Sequence, residues 1–256
     1  MIEIKEGNGI TGQSSMQELM DRYAAKEDLQ AAINNIDKST GDHQRIFLMG
    51  CGRSGTWLLT ALFTTFGDFS IIPKEVPIQY FGIISTKEKN LLLKRHFTSY
   101  CEVENIPDSV KVIWIVRHPY AVLTSHNPHT KLKYHIKPFN FLGWMLSLRY
   151  LIETNNVAQI IRYEDLVTDP VAIQNQIANT FNLNIIASPD EITSRFKAPE
   201  EATSAMHGLR KIDAKSINKY LDDEEKVAYL KEIMPRVHPV LDWMSETFGY
   251  DMHLPD

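Results

Sequence analysis

The sequence predicts an α/β fold, a single domain with a central parallel β-sheet flanked by helices. Three observations carry that expectation. Short apolar runs at 45–50, 69–72, 110–116 and 157–163 each suit a strand buried on both faces. Helical patterns separate these runs, and strand alternating with helix is the signature of a parallel sheet. A glycine-rich turn, with Gly50, Gly52 and Gly55, then links the first run directly to an apolar helix.

Taken in order, residues 1–44 form a polar preface in which Met16, Leu19, Met20, Tyr23, Leu29 and Ile33 recur at roughly helical spacing. They predict a helical extension packed on a main domain of residues 45–256. Strand "RIFLMG" opens that domain and leads into a helix at 56–66. Strand "FSII" follows, then "VKVIWIV" at 110–116 and a helix at 119–126 begun by Pro119. A helix at 141–154 precedes the strand run "VAQIIRY", and Pro170 opens a helix at 170–181. Two more helices are expected at 222–233 and 237–247. The least periodic long stretch, 187–218, reads as a lid or binding loop.

Composition narrows the function. With 256 residues, 43% hydrophobic and 10% aromatic, the chain can bury a full core. Lys and Arg total 27 against 32 Asp and Glu, a net charge of −5, which argues against a nucleic-acid partner or any broad polyanion surface. Two cysteines, Cys51 and Cys101, make no disulfide framework and suit a reducing compartment. The N-terminus lacks a basic start with an apolar core, and no run of about 18 apolar residues occurs, so neither signal peptide nor membrane span is expected. A cytoplasmic protein follows from these readings.

The stretch "RIFLMGCGRSGTWLLTALF" at 45–63 is the first that carries chemistry. Glycines let the backbone bend, and the helix begun near Thr56 aims its first N–H groups at the turn, which makes a cradle for an oxyanion. Gly50 to Gly55 has the spacing of the first half of an ATP-binding phosphate loop, but Thr56 stands where the lysine should follow. A phosphate other than that of ATP or GTP is expected there. Cys51 does not make this a Cys-x5-Arg phosphatase loop, because the arginine position is Trp57.

The second stretch, "VIWIVRHPYAVLTSH", ends a buried strand at Arg117 and carries Ser125 about two turns into the next helix. Strand carboxyl ends are where α/β folds bind ligands, and an arginine fork with a hydroxyl could share one phosphate. An arginine that only caps the sheet is the alternative. In the third stretch, "VAQIIRYEDLVTDP", the charges of Arg162, Glu164 and Asp165 could simply pair at a strand end.

Together and in this order, "GRSGT", the Arg117–Ser125 pair and "RYEDL" before a proline-led helix resemble the sulfotransferase family. That family moves a sulfuryl group from 3′-phosphoadenosine 5′-phosphosulfate (PAPS) to an acceptor and releases adenosine 3′,5′-bisphosphate (PAP). The resemblance spans most of 45–182, with a weaker echo in "LDWMSETFGY" at 241–250. It implies a P-loop NTPase-like sulfotransferase fold. It also implies that Gly52, Arg53, Ser54, Gly55 and Thr56 grip the 5′-phosphosulfate, that Arg117 and Ser125 clamp the 3′-phosphate, and that Tyr163 lies beside the adenine. Arg210 and Lys211 would close over the 3′-phosphate. Trp57 departs from the pattern, which often has a second hydroxyl there; it reads either as an aromatic wall of the cofactor site or as core.

Sulfuryl transfer is an in-line displacement, so positioned cations and N–H donors carry it, and the resemblance implies that Arg53 faces the departing oxygen. No metal is needed. The acceptor must lose a proton to a general base. Glu75, just after the second apolar strand, resembles the glutamate of the carbohydrate and protein-tyrosine branches; His96 is the rival, resembling the histidine of the small-molecule branch. Lys74 beside Glu75 offers the plain alternative of a solvated ion pair. His126, His129 and His135 lack the spacing of a metal site.

The resemblance implies that residues around 76–90, 127–146 and 187–210 line the acceptor site, with Tyr80, Phe81, Tyr134, Phe139, Phe141 and Trp144 as aromatic walls. Such walls suit a carbohydrate or a small metabolite hydroxyl. Two other functions stay open: a P-loop nucleotide kinase, and a nucleotide-binding module without catalysis.

Overall fold

A computed structural model of the chain describes residues 3–4, 36, 43–82, 84–94, 100–126, 133–199, 203, 212 and 214–255. A short antiparallel pair joins β1 (Glu3–Ile4) to residues 84–85. The residues on which the N-terminal helix is expected, Met16 to Ile33, lie outside the described residues; Ile36, just beyond them, is fully buried in the core.

The domain alternates as its pattern predicts. β2 (Gln44–Gly50) turns into α1 (Thr56–Phe63), and β3 (Phe69–Glu75) leads through the short β4 (Ile84–Ser85) to β5 (Asn90–Lys94). β6 (Val110–Val116) feeds α2 (Pro119–Leu123) and α3 (Pro138–Glu153). β7 (Gln159–Arg162) runs straight into α4 (Tyr163–Thr168), followed by α5 (Pro170–Phe181), the short α6 (Ile192–Arg195) and the long α7 (Glu224–Phe248). The central sheet has five strands in the order β3-β5-β2-β6-β7, every neighbouring pair parallel.

The central strands are buried almost throughout, and their side chains alternate between two cores. Phe47, Met49, Val112, Trp114 and Val116 face a layer that includes α3 and α7, while Ile46, Leu48, Ile113 and Ile115 face α1 and α5. Proline at the first turn starts α2, α3 and α5, and Asp169 caps α5 by accepting from the Ala172 N–H at 2.9 Å.

Five sequence readings need correction. β5 is an additional strand, lying between β3 and β2; Leu91, Leu92 and Leu93 are all fully buried, but three leucines between polar residues are too short a run to show a period. β3 continues past Ile72 through Pro73 to Glu75, which an edge strand tolerates, and its register against β5 shifts between Ile71 and Glu75. α2 stops at Leu123, so Ser125 lies in the turn beyond it instead of two turns along a helix. Tyr163 opens a helix and does not end the strand.

The two helices expected at 222–233 and 237–247 form one, α7, with Pro235 and Pro239 inside it. A proline inside a helix costs about 3 kcal/mol in isolation. Here one continuous apolar face offsets it, with Val227, Leu230, Ile233, Val237, Val240, Leu241 and Met244 all buried. Among the described residues no helix is long and apolar enough to cross a membrane.

Candidate functional site at the carboxyl ends of the strands

The parallel register brings the ends of β2, β3, β5, β6 and β7 to one edge of the sheet. Gly50 lies level with Ile115, Glu75 with Lys94 and Val116 with Arg162. Between β2 and α1 the turn is tight: the Ser54 N–H donates to the Cys51 carbonyl at 3.0 Å and the Leu59 N–H to Gly55 at 3.0 Å. Arg53 adopts φ 70° and Gly55 φ 101°. A side chain at Gly50 would meet Ile115 and the Ser54 hydroxyl at 2.8 Å, and one at Gly55 would fall 2.5 Å from the Tyr163 ring, so both positions demand glycine. Gly52 and Cys51 are buried beside them, and burial pushes the Cys51 thiol well up, which keeps it neutral.

Polar groups in this turn point to an anion. Gly55 supplies no side-chain cap to α1, and Thr56 begins the helix partly exposed. The Ser54 hydroxyl is fully buried and has no hydrogen-bond partner among the described residues, an arrangement that costs roughly 1–3 kcal/mol unless a ligand supplies a partner. The Arg53 Nε–H donates to Ser125 Oγ at 2.8 Å, and an Arg117 terminal N–H donates to the Arg53 carbonyl at 3.1 Å. Arg117 also lies over the Tyr163 ring, 4.2 Å from its centre. Burial first, then the Arg117 charge, push the Arg53 guanidinium below its ordinary value; it remains cationic. Two guanidiniums thus converge on a loop of backbone N–H groups, where an oxyanion would offset their repulsion.

The "RYED" stretch divides between two tasks. Tyr163 faces Arg117, whereas Glu164 accepts from the His118 N–H at 2.9 Å and from the Tyr250 hydroxyl at 3.0 Å. His118 is buried, stacks on Tyr220 and hydrogen-bonds through Nε2 with the Asp251 carbonyl at 2.8 Å. This network ties the segment after α7 to the strand end that carries Arg117. Arg162 makes a long pair with Asp165 at 3.9 Å and lies over the Tyr250 ring, 4.8 Å from its centre.

On the other side of the loop, Glu75 pairs with Lys94 at 2.6 Å and not with Lys74 as the plain reading had it. The Lys94 side chain is 1% exposed and that of Glu75 43%. Lys94 Nζ sits 3.7 Å from the centre of the Trp57 ring. Trp57 is partly buried and packs near Phe196, with ring centres 6.3 Å apart, so it is neither wholly core nor free wall. Lys94 escaped the sequence reading; the signal that could have found it is a lysine directly after an apolar triplet, once that triplet is seen as a strand.

His96, Arg210 and Lys211 lie outside the described residues. Most of the expected acceptor walls are core: Tyr80, Phe81 and Phe141 are fully buried, and Trp144 and Tyr134 nearly so, whereas Phe139 is 82% exposed. Among the described residues no three metal-ligating side chains come together; His129 falls outside them.

A scan against protein-family models finds no match, and a search of curated proteins finds none either. Solved structures do resemble the chain. The sulfotransferase domain from the Synechococcus PCC 7002 olefin synthase is 18% identical at a TM-score of 0.55, over 83% of this chain and 98% of that one. The sulfotransferase domain from the curacin biosynthetic pathway is 16% identical at a TM-score of 0.52, over 83% and 99%. Identity at that level speaks to architecture, and the architecture is one parallel sheet with a glycine turn after β2: this chain has the sulfotransferase fold.

Proposed function

We propose that the chain is a PAPS-dependent sulfotransferase, transferring a sulfuryl group to a hydroxyl of a carbohydrate or small metabolite and releasing PAP. The observation that carries this reading is the meeting of Arg53, Arg117, Ser125 and Tyr163 around a glycine turn that lacks the phosphate-loop lysine. In this reading Gly52 to Thr56 hold the 5′-phosphosulfate with backbone N–H groups. Ser54 offers its orphaned hydroxyl. Arg117 and Ser125 hold the 3′-phosphate, with Arg210 and Lys211 closing from the other side, and Tyr163 takes the adenine side. A cytoplasmic setting fits the two-cysteine composition.

The reaction forms a bond from the acceptor oxygen to sulfur and breaks the bond from sulfur to the 5′-phosphate oxygen. Arg53 stabilises the charge that gathers on that oxygen. Glu75 accepts the proton from the acceptor hydroxyl, with His96 as the rival base. Lys94 holds Glu75 at the strand edge beside the loop.

The test is calorimetric titration with PAP, with ATP and 5′-AMP as controls, on the wild type and Arg117→Ala. PAP should bind more tightly than either control. Losing the guanidinium should weaken PAP by about 10- to 100-fold, as for a hydrogen bond to a charged group worth roughly 1.5–3 kcal/mol. ATP binding as tight as PAP, with no effect of Arg117, would replace this reading with a nucleotide kinase.

A further inference from the structure

Lysine is almost never fully buried unless paired, and Lys94 at 1% exposure has among its partners two of different kinds. Glu75 offers it a carboxylate at 2.6 Å. Trp57 offers an aromatic face at 3.7 Å. The two act differently when an anion arrives. A carboxylate competes with the anion for the ammonium charge, whereas an indole attracts the cation through its quadrupole and leaves both the charge and the N–H donors available. Trp57 is also the residue next to the glycine turn, on the first turn of α1, so its ring ties Lys94 to the phosphate cradle itself.

We propose that Trp57 is a positioning residue: it holds the Lys94 ammonium at the mouth of the phosphate loop while that ion passes from Glu75 to the anionic donor. The proposal rests on the sulfotransferase reading above. It gives Trp57 a purpose at the position where a hydroxyl would be expected, and it frees the Glu75 carboxylate when the donor site fills. Phe196 backs the indole from the segment that follows α6.

The experiment uses the full chain as wild type, Trp57→Phe and Trp57→Leu. The first readout is acetic anhydride labelling of lysines, followed by mass spectrometry, with Lys89 (side chain 82% exposed) as the internal standard. The second is calorimetric titration with PAP. Lys94 should be protected in the wild type, remain largely protected in Trp57→Phe, and label at least about tenfold faster in Trp57→Leu. PAP should weaken by about 5- to 30-fold in Trp57→Leu, on the scale of a desolvated cation–π contact, with most of the affinity kept by the phenyl ring. Unchanged protection and affinity in Trp57→Leu, or equal losses in both variants, would overturn the proposal. Exposure of Lys94 in Trp57→Leu combined with no PAP binding by the wild type would instead overturn the donor reading, leaving the Trp57–Lys94 contact in place.

Discussion

Gly55→Ala probes the joint between the glycine turn after β2 and Tyr163 at the start of α4. Gly55 sits at φ 101°, outside the range an L-residue adopts cheaply, and an added Cβ would stand 2.5 Å from Tyr163 Cδ2 and 3.0 Å from Cε2. The backbone component should cost about 1–2 kcal/mol, and forcing the ring aside about 1–3 kcal/mol more. Moving the ring also disturbs the Arg117 stack at 4.2 Å, adding about 0.5–1 kcal/mol. Together these give a destabilisation of roughly 2.5–6 kcal/mol, read as a shift of the urea midpoint with unchanged slope. The same substitution in a Tyr163→Ala background should keep only the backbone component, because the clash and the stack are already gone. A coupling of roughly 1.5–4 kcal/mol between the two sites is therefore expected from the double-mutant cycle. A loss below about 0.5 kcal/mol for Gly55→Ala, or an equal loss in both backgrounds, would refute the reasoning.

Two other predictions concern the base and the C-terminal network. Glu75→Gln keeps an oxygen for the Lys94 ammonium but cannot take a proton, so turnover should fall by about 10²- to 10⁴-fold with PAP bound at least as tightly; near-normal turnover would transfer the role to His96. His118 is buried among Tyr120, Tyr220 and Tyr250, and burial holds its imidazole below the ordinary value, opposed by the Asp251 carbonyl and by Glu164. As pH falls through about 6.5 the unfolded chain takes up a proton that the folded chain refuses, so stability should drop with acid and rise again toward neutrality. In His118→Phe the slope of unfolding free energy between about pH 5 and 7 should be shallower, and equal slopes would remove His118 as the cause.

Local chemistry made much of this molecule readable. β2 and β6 are long apolar runs, the tight turn after β2 is marked by its glycines, and Pro119 and Pro170 mark helix starts because a fixed φ and a missing N–H suit a first turn. The fold class and the glycine turn follow from such short-range signals. The failures share a cause as well. Pro73 and Pro235 look like stops until an edge strand and a continuous buried face accommodate them. Tyr80 and Phe81 look like a ligand wall until the core encloses them.

By itself, then, the sequence determined the alternation of strand and helix, the glycine turn after β2 and the residues that resemble a donor site, since each depends on neighbours within a few positions. Only the tertiary structure decided that Arg53 meets Ser125 across 72 positions, that Glu75 meets Lys94 across 19, and that Glu164 belongs to the His118 and Tyr250 network. Those contacts depend on sheet order and register, which place strand ends side by side without leaving a local mark in the chain.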